Sequence, residues 1–297
     1  MIKVRFSNKN NQLIVSKIHH YYEILDTLCL QLFIDPKKQF KIVDENEKAD
    51  ICIVGIQHTD NNLLRPNEVN ILLCVENLTV GRTHYEHFRK FGRYDNPMIN
   101  IYIYNDESEP KILHQFDKEV LVIPIIYQRI QFFNWFQPKI DLIPWTQRKF
   151  CLFTSRNQIN HNKELVLHEI CELGKVDFIE TYKISTSSCY HSDTLLQIFS
   201  KYKFIICFEN SKTDGYITEK IFNAYMAGCI PIYDGAPNIG KYLEPETFLH
   251  YDENLLSNIE MIDQEKYNQI QSLKKAKDLD FSVLNDYFIK INFYNNR

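Results

Sequence analysis

Glycine is scarce in this chain, with 8 in 297 residues, so a glycine in a turn among polar residues marks a backbone that needs it. Eight cysteines are present, yet no two form a C-x-x-C pair. Cys52, Cys74, Cys151, Cys207 and Cys229 sit inside apolar, strand-like runs, which argues for buried free thiols over a disulfide or zinc framework. Long apolar runs are missing: none reaches the ~20 residues of a membrane span. The opening MIKVRFSNKNNQ has no apolar h-region, so the sequence predicts neither signal peptide nor anchor, and a cytoplasmic protein. A strong excess of one charge is missing too. The formal net charge of −4 gives no general reason to expect nucleic acid or an acidic membrane as partner. It leaves room for a local basic patch that takes a small phosphorylated ligand.

What is present is a globular composition, 44% hydrophobic and 24% charged, with 20 Phe and 18 Tyr that a disordered chain would not carry. The length suits two domains of about 150 residues each, expected here as 1–145 and 146–297. Residues 2–6 read as a strand, and 18–33 has helical spacing through Tyr22, Leu25, Cys29 and Phe33. Short apolar runs follow at 49–54, 70–75, 99–104 and 120–126, a pattern of strands buried on both faces of a parallel sheet. Residues 141–148, with Pro144, read as a linker.

The second half restarts the pattern with a strand at 150–154, a helix over 162–173, a strand at 177–179 and a helix near 194–200. The strand at 204–208 then runs into a polar segment, and a helix follows from about Ile217, with Ile221, Phe222 and Tyr225 on one side and Gly228 placed to end it. A strand at 229–233 comes next, and from 255 on the sequence is mostly charged amphipathic helix. No repeat is visible. The sequence therefore predicts an α/β protein of two Rossmann-like domains facing a central cleft, with ligands at the carboxyl ends of the strands.

Residues 204–235, FIICFENSKTDGYITEKIFNAYMAGCIPIYDG, carry the most chemistry. Strand, polar turn, helix and strand bring Glu209, Asn210, Ser211, Tyr216, Thr218, Glu219 and Lys220 to the place where a sheet ends and a helix begins. Free N–H groups at a helix start favour an anion, and Lys220 adds a point charge, so together they could stabilise a leaving diphosphate without a metal. Glu219 and Asn210 can hold sugar hydroxyls, and Tyr216 can pack on a sugar or base. An ordinary strand–helix junction would account for any one of these residues; it accounts less well for so many between two buried strands. A second strand, 72–75, ends in Glu76-Asn77; an acid at such a place is usually just solvated, but one that faces a cleft is suited to act as a general base.

Cys207-Phe208-Glu209-Asn210-Ser211, Gly215-Tyr216-Ile217-Thr218-Glu219-Lys220 and Ile230-Pro231-Ile232-Tyr233-Asp234-Gly235 together resemble, without a gap, the donor-site signature of the α-1,3/4-fucosyltransferases, glycosyltransferase family 10. The resemblance implies a GT-B fold, with an acceptor-side domain that supplies the base and a second domain that holds GDP-fucose. It also implies inverting transfer of fucose to a glycan hydroxyl, with a nucleotide sugar and a glycan acceptor as partners and no cofactor or essential metal. By the same match Glu76, Glu219 and Lys220 are the catalytic residues. Glu209, Asn210, Ser211, Tyr216 and Thr218 are then donor contacts, with Arg156 and Lys163 on the diphosphate. Val75 stands where the family has Gly, Lys163 stands where it has Arg, and 181–186 lacks the family's glycine-containing loop. Three alternatives stay open: another nucleotide sugar on the same fold and mechanism, a non-catalytic sugar- or nucleotide-binding module, and a nucleotide-dependent enzyme of unrelated chemistry on a similar fold.

Other candidates are weaker. Asp278-Leu279-Asp280 has the D-x-D form of a metal–diphosphate site but lies beside Lys-rich helical sequence, where capping explains it. His84 and His87 have no third ligand placed to complete a zinc motif. The stretch 82–94 mixes rings and cations, suited either to sugar stacking or to a solvated helix face. Arg129 reads as a surface charge.

Overall fold

The computed structural model describes residues 2–7, 40–44, 46–55, 64–74, 101–104, 119–122, 140–155, 167–180 and 193–278. The chain divides into two units: Met1–Phe132 with Thr213–Tyr216 and Leu279–Arg297, and Phe133–Lys212 with Ile217–Asp278. The sequence reading made a single cut at 145–146 instead.

The first unit holds six parallel strands: β1 Ile2–Ser7, β2 Phe40–Ile42, β3 Ile51–Gly55, β4 Val69–Cys74, β5 Ile101–Tyr104 and β6 Glu119–Val122. Their order in the sheet is β2-β1-β3-β4-β5-β6. Arg5, fully buried on β1, donates to Glu68 Oε2 at 2.6 Å just before β4. Glu68 Oε1 also accepts from the Ala49 amide at 3.1 Å. A buried pair of this kind needs such extra bonds to offset its desolvation. The helical spacing at 18–33 lies outside the described residues.

The second unit holds β7 Lys149–Ser155, β8 Val176–Glu180, β9 Tyr202–Phe208, β10 Ile230–Asp234 and β11 Leu249–His250. All are parallel, in the order β11-β10-β9-β7-β8. The first five strands of unit one and the five of unit two therefore share one winding, 2-1-3-4-5. In such a sheet the chain turns opposite ways from its first and third strands, and the crevice beyond their carboxyl ends receives ligands. In the second unit that point lies beyond β7 and β9.

Within residues 141–148, expected as a linker, Trp145 and Arg148 pack into the second unit, while Asp141, Leu142, Pro144, Thr146 and Gln147 are exposed. Trp145, in the 3-10 turn Trp145–Gln147, is 4% exposed and stacks on Tyr267 with centroids 4.5 Å apart. Arg148 is buried as well and donates to the carbonyls of Ile143 at 2.8 Å and Gly228 at 2.6 Å. Pro144 marks a turn, but the large aromatic after it has apolar surface to bury, and burial wins.

Helices α1 Asp193–Phe199 and α2 Glu219–Met226 pack on each other and on β9. Every residue of α2 from Ile221 to Met226 is buried, each large apolar one contributing roughly 1.5–3 kcal/mol. Gly228, at φ +65, ends it as the sequence predicts. Helices α3 Leu255–Glu260 and α4 Gln264–Ser272 follow, and a bridge from Ala276 to Leu243 ties the tail back. Of the cysteines, Cys52, Cys151, Cys207 and Cys229 are buried free thiols and Cys171 is an exposed one. Burial pushes the Cys229 thiol up to about 12, so it packs as a small hydrophobe.

Candidate functional site

The polar segment after β9 leaves the sheet beside the crevice beyond β7 and β9. Glu209 is its first residue. The strand pairing continues one step further, with the Glu209 amide donating to the Asp234 carbonyl at 2.8 Å, so its backbone is as fixed as the strand's. Its carboxylate is fully covered and accepts three bonds. The Thr218 amide donates to Oε1 at 2.7 Å. To Oε2 come the Thr218 hydroxyl at 2.7 Å and the Lys220 ammonium at 2.8 Å. Lys220 Nζ also donates to Thr218 Oγ1 at 2.9 Å, closing a ring of charge-assisted bonds.

This ring fixes the start of α2. Thr218 is the extended N-cap residue, at φ −95 and ψ −168, and its side chain makes no cap bond to the helix, because its hydroxyl is engaged with Glu209 and Lys220. Glu219 lies in the first turn, where a negative charge suits the helix dipole. Its Oε1 is 4.0 Å from Lys220 Nζ, and both side chains reach the surface in part, 19% and 29% exposed. The Cys207 thiol donates to the Lys220 carbonyl at 3.4 Å. Burial, with the nearby Glu209 charge second, holds that thiol well above its ordinary range.

The exit of β10 closes the other side. A Cβ on Gly235 would collide with the Tyr233 hydroxyl and come within 2.5 Å of Glu209 Cγ, so glycine is required by space. The Tyr233 hydroxyl accepts from the Ala236 amide at 3.0 Å, and burial followed by the Glu209 charge raises its pKa far above a free phenol's. Asp234 pairs with Lys212 at 2.7 Å. Beside it Tyr251 packs on Phe208, centroids 5.4 Å apart, and donates to Glu169 at 3.1 Å.

The structure thus brings Glu209, Thr218, Glu219 and Lys220 together. Asn210 beside them is exposed, whereas Ser211 is buried. Tyr216, expected to offer its ring to a sugar or base, is 3% exposed, and Gly215 before it takes φ +79. Glu209 and Thr218, expected as donor contacts, have these oxygens and the Thr218 amide turned on each other and on Lys220. The Gly235–Tyr233 closure and the Asp234–Lys212 pair had no assigned role from sequence; the I-P-I-Y-x-G run held the signal for the first. Asp278 pairs with Lys274 four residues back on an exposed surface, and Asp280 lies outside the described residues. Glu76, Arg156, Lys163, His84, His87, Arg129 and 181–186 also lie outside them, as does the Val75 position.

Residues 143–279 match the family described as Glycosyltransferase family 10 (fucosyltransferase) C-term. The alpha-(1,3)-fucosyltransferase FucT of Helicobacter pylori is 38% identical over 101 residues, 34% of this chain and 21% of that protein. The putative fucosyltransferase R654 of Acanthamoeba polyphaga mimivirus is 25% identical over 260 residues, 82% of this chain and 39% of its own length. This chain accordingly spans between 21% and 39% of the length of those two relatives. A crystal structure of an alpha1,3-fucosyltransferase superposes with TM-score 0.62 at 17% identity, over 98% of this chain and 89% of that one. A second, of alpha1,3-fucosyltransferase with GDP-fucose, gives 0.60 at 17% identity over 99% and 90%. At such identity the likeness is one of fold, α/β of the GT-B type. Among the described residues no helix is long and apolar enough to cross a membrane. The whole Glu209–Lys220 ring and the Gly235 closure fall inside the matched segment, 143–279, and that segment is what this chain shares with glycosyltransferase family 10, the fucosyltransferases.

Proposed function

We propose that this chain is an inverting glycosyltransferase that moves fucose from GDP-fucose to a hydroxyl of a glycan acceptor. The observation that carries the reading is the Lys220 ammonium held at the start of α2, beside a strand-end crevice, within a segment of the fucosyltransferase family. Glu76 takes the proton of the acceptor hydroxyl. The acceptor oxygen then bonds to the anomeric carbon from the face opposite the diphosphate, and the bond from that carbon to the diphosphate oxygen breaks. The electron pair leaves with GDP, whose growing charge meets Lys220, the N–H groups opening α2, and Arg156 or Lys163. Glu219 and Asn210 hold fucose hydroxyls. A fixed ammonium and a helix start supply the charge that a divalent ion supplies elsewhere, so turnover persists in EDTA.

Incubation with GDP-fucose and a panel of glycan acceptors, read by product mass, tests this directly. A product heavier by one fucosyl residue is expected, and GDP should raise the melting temperature more than UDP, CMP or dTDP. Transfer from a UDP- or dTDP-sugar in preference would replace the donor and keep the mechanism. Activity abolished by EDTA and restored only by Mn²⁺ or Mg²⁺ would overturn the metal-free diphosphate site.

A further inference from the structure

We infer that Glu209 is a positioning residue for the diphosphate: it does not touch the donor but fixes the Lys220 ammonium and the Thr218 turn at the geometry in which they meet it. The inference rests on the proposed nucleotide-sugar site and goes beyond it by moving Glu209 out of the donor contacts. Three observations carry it. The carboxylate is fully covered, so a ligand reaches it only if the ring opens. Both of its oxygens are engaged by Thr218 and Lys220 at 2.7–2.8 Å. Its backbone is held by the Asp234 carbonyl, and its Cγ occupies the space that a side chain at Gly235 would need. Lysine is otherwise a poor fixed charge, a compact ammonium on a flexible four-carbon stem. Two of its three donors are committed here to Glu209 Oε2 and Thr218 Oγ1, which places the ammonium before any donor arrives.

Two effects oppose each other. A carboxylate beside the ammonium subtracts from the field that attracts an anion, whereas an ammonium already in place binds without the cost of ordering a free side chain. In Glu209→Gln an amide NH₂ faces the ammonium wherever the amide oxygen does not, so the ring cannot close with both donors satisfied. If positioning dominates, nucleotide binding falls; if the field dominates, it rises.

The test is a double-mutant cycle on the full chain, with Glu209→Gln, Lys220→Met and the double variant, titrated with GDP and with guanosine as the phosphate-free control. Melting curves establish that each variant is folded. Expected is a loss of about tenfold or more in GDP affinity for Glu209→Gln, in line with a charge-assisted contact. Guanosine affinity should be unchanged, and the double variant no weaker than Lys220→Met alone, because Glu209 acts through Lys220. Tighter GDP binding by Glu209→Gln, equal losses for GDP and guanosine, or losses that multiply in the double variant would each overturn the inference. A wild-type chain that binds UDP instead of GDP corrects the donor, and the same cycle is then read with UDP and uridine. A wild type that binds no nucleoside diphosphate sinks the proposed function and this inference with it, an outcome plainly different from a cycle without coupling.

Discussion

At the scale of single residues the proposed site separates into groups proposed to face a donor and groups that hold them. Gly235 belongs to the second kind. In Gly235→Ala the new Cβ must displace the Tyr233 hydroxyl or Glu209 Cγ, both held by hydrogen bonds or backbone. Melting should show a loss of about 1–3 kcal/mol, as for other overpacked positions, and GDP titration should show the weakening expected of Glu209→Gln. Normal affinity in a destabilised Gly235→Ala would mean that the Glu209 ring tolerates displacement. Glu76→Gln should behave differently: nucleotide affinity near wild type, with transfer down by about 10²–10⁴, the worth of a general base. Equal loss of donor binding and transfer would place Glu76 among the donor contacts. A third residue, Lys275, has no part in the proposed site. It is 4% exposed, and burial brings its ammonium down to about 8 from 10.5. The folded chain therefore binds fewer protons than the unfolded chain between about pH 8 and 10.5. The cost of burying the charge is fully present below pH 8, and stability rises with pH across that window. Lys275→Met should stabilise the protein at pH 7 by roughly 1–3 kcal/mol and flatten the rise; an unchanged pH profile would show that the group titrates normally.

At the scale of elements, what could be read in the sequence depended on run length. Strands such as β9, with six of seven residues buried, stand out through apolar runs of four or five residues, as do β3, β4 and β10. β2 and β11, of three and two residues, have no run to detect. They exist because a neighbouring strand offers them a ladder, which is a tertiary effect. The segment 141–148 misleads for the opposite reason: Pro144 signals a turn, whereas the partners of Trp145 and Arg148 lie at Tyr267 and Gly228, far along the chain. In the donor motif, sequence placed Glu209, Thr218 and Lys220 at one turn through the spacing of strand and helix. Their mutual bonding was hidden, because spacing says which residues meet and not which way a carboxylate points. The close of α2 was legible, and it is testable. Gly228 sits at φ +65, and a Cβ there would come within 2.5 Å of Leu142. Gly228→Ala should cost about 1–3 kcal/mol, from backbone strain and the contact together, as read by thermal unfolding. A change under half that would show that the turn relaxes freely.

At the scale of the whole molecule, two units of like winding stand in one chain, and the family match begins at residue 143, inside the second unit and six residues before its first strand, β7 Lys149–Ser155. Ligand should act on the second unit's stability by mass action: GDP at 100 times its dissociation constant should add about 2.7 kcal/mol, and no shift at that excess would mean that GDP is not the ligand. The packed segment before β7 gives the start of that match a physical meaning. Arg148 takes the Ile143 carbonyl on one side and the Gly228 carbonyl on the other, while Trp145 covers Tyr267. A chimera with a relative, joined between 148 and 149, would part these residues from partners chosen to fit them and leave a bare carbonyl and an uncovered ring. Joined before 140, it would inherit the complete set. Heritable modularity in this chain therefore has its seam upstream of the proline, and the stretch that looks most like a spacer is cargo that must travel with the second unit.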